Sequence, residues 1–290
     1  MNILIFGLGF SSAAFVARHG GAFSNVTGTV RSAEKAARLR QPGLTPLVFS
    51  DAQVDVDLPR AIAQADVILL SVPPDAQGDP VLRVFGEKIA AAQALSRIVY
   101  LSTVGVYGDH AGAWIEEDTP VRPVAERSHA RLVAEQGWQR LAEAAGVPLD
   151  ILRLSGIYGP GRNALVALRQ GTAKRLIKPG QVFNRIHVED IADAIYACIA
   201  GGLPGAIYNV TDDEPAPPQD VVAFAAELLG VPPPPETDFA TAQLSPMARS
   251  FYGENKRVSN ARIKRDLGFV FAHKTYREGL RALHAAGEGL

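Results

Sequence analysis

Short, continuous apolar runs alternate with longer mixed segments through the first half of the chain. Residues 2–6, 46–49, 67–71, 98–101 and 149–154 are dominated by Val, Ile, Leu and Phe, and residues 26–30 (Val-Thr-Gly-Thr-Val) begin and end on valine. Runs of that length and kind predict strands covered on both faces, the habit of a parallel sheet. Between them, residues 12–19, 33–39, 58–64, 80–94 and 128–145 predict helices. The last of these stops at Gly146-Val147-Pro148, where glycine and proline end a helix. The alternation predicts a doubly wound α/β fold of Rossmann type.

After Gly156 the pattern loosens into the turn-rich Tyr158-Gly159-Pro160-Gly161-Arg162. Regular structure is expected again at 185–190, in a helix through Ile199, in a strand at 206–210 and in an amphipathic helix at 220–229. The proline run 232–235 cannot be helix interior. This organisation predicts a dinucleotide-binding domain of residues 1–155 plus 186–210. A smaller C-terminal substrate lobe would take 156–185 plus 211–290, with residues 287–290 frayed.

Composition narrows the function classes. The 290 residues are 47% hydrophobic and 20% charged, with a formal net charge of −1. That balance offers no electrostatic reason to expect nucleic acid or an anionic membrane as partner. One cysteine, Cys198, excludes an intrachain disulfide and a cysteine metal cluster; its apolar surroundings predict a buried structural thiol. No stretch approaches the ~20 apolar residues of a membrane span. The N-terminus enters a strand at once without a basic leader, so a cytoplasmic protein is expected. No paired carboxylates, no His/Glu metal spacing and no Gly-x-Ser-x-Gly elbow appear, and no metal is expected.

Gly7-Leu8-Gly9-Phe10-Ser11-Ser12 follows the first strand and opens a helix. In that context Gly7 would make the tight turn, and Gly9 would let backbone approach a pyrophosphate at the helix N-terminus. Ser12 stands where a third glycine is usual, and a small side chain suffices there. Gly7, Gly9, Phe10, Ser11 and Ser12 are therefore cofactor-site candidates; a strand–helix turn with no ligand is the plain alternative. The second strand ends in Thr29-Val30-Arg31-Ser32, with no carboxylate before Glu34. A guanidinium and a hydroxyl there suit a ribose 2′-phosphate, so NADP(H) is expected in preference to NAD, unless Arg31 is simply solvated.

Residues 97–109, Arg-Ile-Val-Tyr-Leu-Ser-Thr-Val-Gly-Val-Tyr-Gly-Asp, look like the strand and loop that carry the catalytic Ser/Thr in extended short-chain dehydrogenase/reductases. The resemblance continues in order along nearly the whole chain. Ile151-Leu152-Arg153 with Tyr158-Gly159-Pro160-Gly161, His187-Val188-Glu189-Asp190, Tyr208-Asn209-Val210 and Leu267-Gly268 are the further landmarks. The chain resembles the atypical branch of that family, the NAD-dependent epimerase/dehydratase-like proteins. The resemblance implies that Asp51 meets the adenine amino group and that Ser71 lies beside the cofactor. It also implies that Thr103 orients a substrate, and that a homodimer forms by analogy.

The family's Tyr-x-x-x-Lys is replaced. Counting back from Glu135 sets Arg131 on the lysine position and Arg127 on the tyrosine position. Arg131 would hold ribose or phosphate, or else pair with Glu135 on an exposed helix face. Arg127 cannot donate the proton, because a guanidinium stays charged. Tyr107 and Tyr158 are the alternatives for that role, unless they merely pack. Lys174, Arg175 and Lys178 would meet a substrate diphosphate or line a solvated face. Two functions follow: an NAD(P)-dependent oxidoreductase or epimerase-like enzyme for a small polar or nucleotide-linked substrate, or a catalytically silent NADP(H)-binding sensor.

Overall fold

The structure, a computed structural model, describes residues 1–289. Its elements begin with β1 (Asn2–Phe6), α1 (Phe10–His19), β2 (Asn25–Val30), α2 (Ala33–Leu39), β3 (Leu44–Val48), α3 (Leu58–Gln64), β4 (Val67–Leu70) and α4 (Pro80–Ala90). They continue with β5 (Arg97–Thr103), β6 (Trp114–Ile115), α5 (Glu126–Ala145), β7 (Leu149–Leu154), β8 (Gly156–Tyr158), α6 (Ala164–Arg169), β9 (Arg175–Ile177) and β10 (Arg185–His187). The remainder is α7 (Val188–Ala200), β11 (Ile207–Val210), α8 (Pro218–Leu229), β12 (Glu236–Asp238), α9 (Pro246–Phe251), β13 (Arg257–Val258), α10 (Ala261–Leu267) and α11 (Tyr276–Ala285).

Seven strands form one sheet in the order β11-β7-β5-β4-β1-β2-β3, and β1–β2, β1–β4, β2–β3 and β4–β5 all pair in parallel. The order reverses at β1, between its neighbours β2 and β4, which is where a doubly wound sheet opens its binding crevice. The chain divides into two compact units. The first takes residues 1–103, 126–153 and 191–208; the second takes 104–125, 154–190 and 209–290.

The strands formed where continuous apolar runs predicted them, because each is buried from both sides. Ile5, Phe6, Ile68, Leu69, Ile98 and Val99 are at most 1% exposed. Phe6, Leu58, Phe85, Tyr100 and Trp138 belong to one core cluster in this unit. Asp79 caps α4 by accepting from the amides of Val81 and Leu82, and its second oxygen accepts from Trp138 Nε1 at 3.0 Å. Cys198 is buried, as its apolar run predicted.

Four segments expected in the dinucleotide-binding domain, residues 104–125, 154–155, 186–190 and 209–210, fall in the second unit. Residues 104–125 pack with the second unit rather than the first, because β6 pairs with β13 and Tyr107 Oη donates to Asn209 Oδ1 at 2.8 Å. Residues 186–190 also belong there, since β10 pairs with β8. The expectation of a frayed end fails for residues 287–289. Glu288 accepts from the amide of Gly161 and from Asn163 Nδ2 at 2.9 Å, which ties the segment down. Leu290 lies outside the described residues. Among the described residues, no helix is long and apolar enough to cross a membrane.

Candidate functional site

The first turn of the sheet is built by β2 and β4 acting on Gly7–Gly9. Gly7 N–H donates to Thr29 Oγ1 at 2.8 Å, and Leu8 N–H donates to the Thr29 carbonyl at 2.7 Å. Gly28 carries no side chain because Leu8 lies on it; a Cβ there would stand 2.5 Å from Leu8 Cδ1. Gly7 has φ +96°, and a Cβ on it would stand 3.1 Å from Val72 Cγ2 and 3.2 Å from Val72 N. Backbone conformation and close approach both require glycine at that position.

Gly9 obeys a different demand. Its backbone is extended, and a Cβ on it would meet nothing within 4 Å. Packing therefore does not select glycine here, whereas a ligand lying directly on the backbone would. Gly9 is the N-cap of α1 and makes no side-chain cap, so the helix begins with amides that suit an anion. These residues fit a dinucleotide pyrophosphate. Phe10 is half-buried, Ser11 is buried, and Ser12 is wholly buried against the sheet with its Oγ lacking a hydrogen-bond partner. Ser12 thus fills the helix–sheet contact rather than reaching toward a ligand.

At the end of β2, Arg31 is exposed and Ser32 caps α2, its Oγ accepting from the Lys35 amide at 3.3 Å. Lys35 reaches back so that its Nζ donates to the Leu8 carbonyl at 3.0 Å. A second cation is thereby fixed on the glycine turn. Its only signal in the sequence is its place four residues after Arg31, one helical turn into α2. Asp51 is exposed just past β3, and Ser71 is half-buried at the end of β4, donating its amide to the Phe6 carbonyl at 2.9 Å.

Thr103 is half-buried as the last residue of β5. Arg131 Nη1 donates to Tyr100 Oη at 3.2 Å and to the Leu101 carbonyl at 3.0 Å, with its guanidinium 5.6 Å from the Tyr100 ring centroid. Burial pushes the Tyr100 phenol well above its ordinary pKa, outweighing the pull of Arg131, so it stays neutral. The expected surface pair of Arg131 with Glu135 does not form. Glu135 is 1% exposed and is bound by Arg153 and Ser102, because its position on α5 faces the sheet. Arg127 is exposed in the first turn of α5.

In the second unit, both phenols proposed as proton donors are withdrawn. Tyr107 is fully buried, with its hydroxyl bonded to Asn209. Tyr158 is 8% exposed, its hydroxyl is buried without a hydrogen-bond partner, and burial raises its pKa far above a free phenol, helped by Asp212 and Asp190. The basic cluster also dissolves. Arg175 binds Glu236 at 2.8 Å and the Pro234 carbonyl, Lys178 donates to the Tyr252 carbonyl, and Lys174 alone of the three is exposed.

A cavity of ≈ 370 Å³ in the first unit is lined by Asn2, Asn25, Thr45 and Gln64. Asn2, Asn25 and Thr45 stand at strand starts and Gln64 ends α3, whereas ligands of such sheets bind beyond the strand carboxyl ends, where Gly7 lies.

The profile of the NAD dependent epimerase/dehydratase family matches residues 86–211. The match takes in less than half of the chain. A structure of a functionally unknown conserved protein from Silicibacter pomeroyi DSS is 46% identical, covers 99% of each chain and superposes with a TM-score of 0.89. Protein YeeZ of Escherichia coli K12 is 29% identical over 86% of this chain and 87% of its own. Among epimerase/dehydratase folds, dTDP-glucose 4,6-dehydratase from Bacillus anthracis in complex with NAD superposes with a TM-score of 0.78. It is 18% identical over 100% of this chain and 98% of its own. That likeness is one of fold.

Proposed function

We propose that this protein binds NADP(H) at the Gly7–Ser12 turn and works as an oxidoreductase on a small polar or nucleotide-linked substrate. The reading rests on Gly9, whose missing side chain no packing contact explains. Gly7 and Gly9 would receive the pyrophosphate, Arg31, Ser32 and Lys35 the 2′-phosphate, Asp51 the adenine, and Ser71 and Arg131 the nicotinamide-bearing half. The bound cofactor supplies hydride chemistry.

The chain's own residues bind and orient. Thr103 Oγ1 stands at a strand carboxyl end and would hold a substrate oxygen. Arg131, fixed on the Leu101 carbonyl, would keep a positive charge beside that strand end. Neither Tyr107 nor Tyr158 moves the proton in this reading, which leaves solvent or the substrate itself as its carrier.

Fluorescence titration with NADPH and NADH tests the cofactor reading. Arg31→Glu and Lys35→Ala should each erode NADPH selectivity by roughly 10- to 100-fold, matching the ~1.5–3 kcal/mol of a charge-assisted hydrogen bond. Binding of neither cofactor defeats the proposal. Single-turnover oxidation of bound NADPH by a panel of carbonyl compounds, lost in Thr103→Ala, supports the enzyme.

One observation favours a second reading. Withdrawal of both phenols, with arginines at 127 and 131, suits a protein that binds NADP(H) and reports its state without turnover. Selective NADPH binding with no oxidation by any carbonyl supports that alternative.

A further inference from the structure

His187, Glu189 and His273 lie together in the second unit, far from the glycine turn in sequence and independent of the cofactor reading. Their ligating atoms all fall within 4.8 Å of one another. His187 ends β10 and is 2% exposed, while Glu189 occupies the first turn of α7. His273 comes from the segment just before α11. The two imidazole centroids are 3.9 Å apart, and His273 Nε2 is 3.2 Å from Glu189 Oε2.

The arrangement is built rather than incidental. Asp190, wholly buried beside Glu189, accepts from the backbone amides of Ala272 at 2.6 Å and His273 at 3.1 Å. These two hydrogen bonds pin the incoming segment to the start of α7 and so carry His273 onto His187. On the other side the Tyr158 ring meets His187 edge-on, with centroids 5.1 Å apart and planes at 76°. Tyr158, withdrawn from proton transfer, here restrains a histidine.

We infer that His187, Glu189 and His273 form a binding site for a divalent transition metal of the zinc type. Two imidazoles and one carboxylate are a set of three protein ligands that leaves a fourth position open on zinc. Imidazole donors select zinc, nickel, cobalt or copper over magnesium and calcium, which prefer all-oxygen shells. With bonds of roughly 2.0–2.2 Å, tetrahedral ligand atoms stand about 3.3–3.6 Å apart. The 3.2 Å edge between His273 and Glu189 falls just short of that spacing. The wider edges close by rotation of these two side chains, which are only partly buried. The Glu189 amide lies 3.3 Å from His187 Nδ1, a long contact that a metal on Nδ1 would displace. Glu189 and His273 are 84 residues apart, so no local spacing could disclose the set.

The test is titration of the purified full chain with Co²⁺, read by visible absorption, followed by displacement with Zn²⁺. The expected result is one Co²⁺ per chain with the intense bands of a tetrahedral site, bleached by Zn²⁺. His273→Ala and Glu189→Gln should each weaken binding by at least about tenfold, since even outer-shell partners are worth ~10–100-fold. His129→Ala, an exposed histidine on α5, should bind as the parent does. Melting each variant without metal identifies any that misfolds, and the other then decides. No stoichiometric binding by the parent, or undiminished binding by a folded His273→Ala or Glu189→Gln protein, overturns the site.

Discussion

Arg153 grips Glu135 inside the first unit: its Nε donates to Oε1 at 3.2 Å and its Nη2 to Oε2 at 2.7 Å, with both side chains at least 95% buried. Ser102 Oγ donates to the same Oε1. Three elements, β5, α5 and β7, are thus joined through one carboxylate. Removing it strands a buried guanidinium, so Glu135→Ala should destabilise the protein by about 3–5 kcal/mol in urea unfolding. A loss below about 1 kcal/mol would show that the pair is not desolvated.

The two turn glycines should separate folding from binding. Gly7→Ala forces a Cβ onto φ +96° and against Val72, and should cost about 1 kcal/mol or more of stability. Gly9→Ala meets nothing, so it should lose no more than the ~1 kcal/mol of a poorer N-cap on α1. NADPH affinity in that variant should nonetheless fall by at least about tenfold, or ~1.4 kcal/mol. Unchanged affinity in Gly9→Ala removes the main support for the cofactor site.

Two tyrosine-to-phenylalanine exchanges should behave oppositely. Tyr107→Phe deletes a buried hydrogen bond and deprives Asn209 Oδ1 of its donor, costing ~1–3 kcal/mol. Tyr158→Phe deletes a buried hydroxyl with no hydrogen-bond partner and should be neutral or slightly stabilising. Retention of any NADPH oxidation in both variants is expected; its loss in either would return that phenol to the reaction.

Asp212 makes stability depend on pH. Burial pushes its carboxyl up to about 8, against the pull of the Glu214 amide and Arg185. In the unfolded chain it titrates near ~3.9. Between those values the folded state holds a proton that the unfolded state has released. Stability is therefore fully present below the unfolded value and declines as pH rises toward 8, by at most ~1.4 kcal/mol per pH unit. Asp212→Asn keeps an acceptor for the Glu214 amide and should flatten that decline. Urea midpoints measured across pH 4 to 9 provide the check, and an unaltered slope in Asp212→Asn would assign the dependence elsewhere.

The central strands were legible because burial from both faces demands continuous apolar residues, and that demand is written locally in residues 2–6, 67–70 and 98–101. The glycine turn was legible for a similar reason, since φ +96° at Gly7 excludes other residues. Strands β6 and β13, two residues each, carry no period of their own and exist because each finds the other's backbone. Their pairing moved residues 104–125 into the second unit.

Polar side chains were the illegible part. Arg131 and Glu135 are spaced for a helix-surface pair, and only the sheet beneath α5 sends one to the Leu101 carbonyl and the other to Arg153. Lys35 and the His187–Glu189–His273 group were invisible likewise, because their partners arrive from other elements. Hydrophobic patterning is read over neighbouring positions and so is determined by sequence alone: strand, helix, turn and fold class. A charge or hydroxyl takes its meaning from whichever buried acceptor or donor the tertiary structure brings within about 3 Å, and that decided which tyrosines, arginines and histidines remain candidates for chemistry.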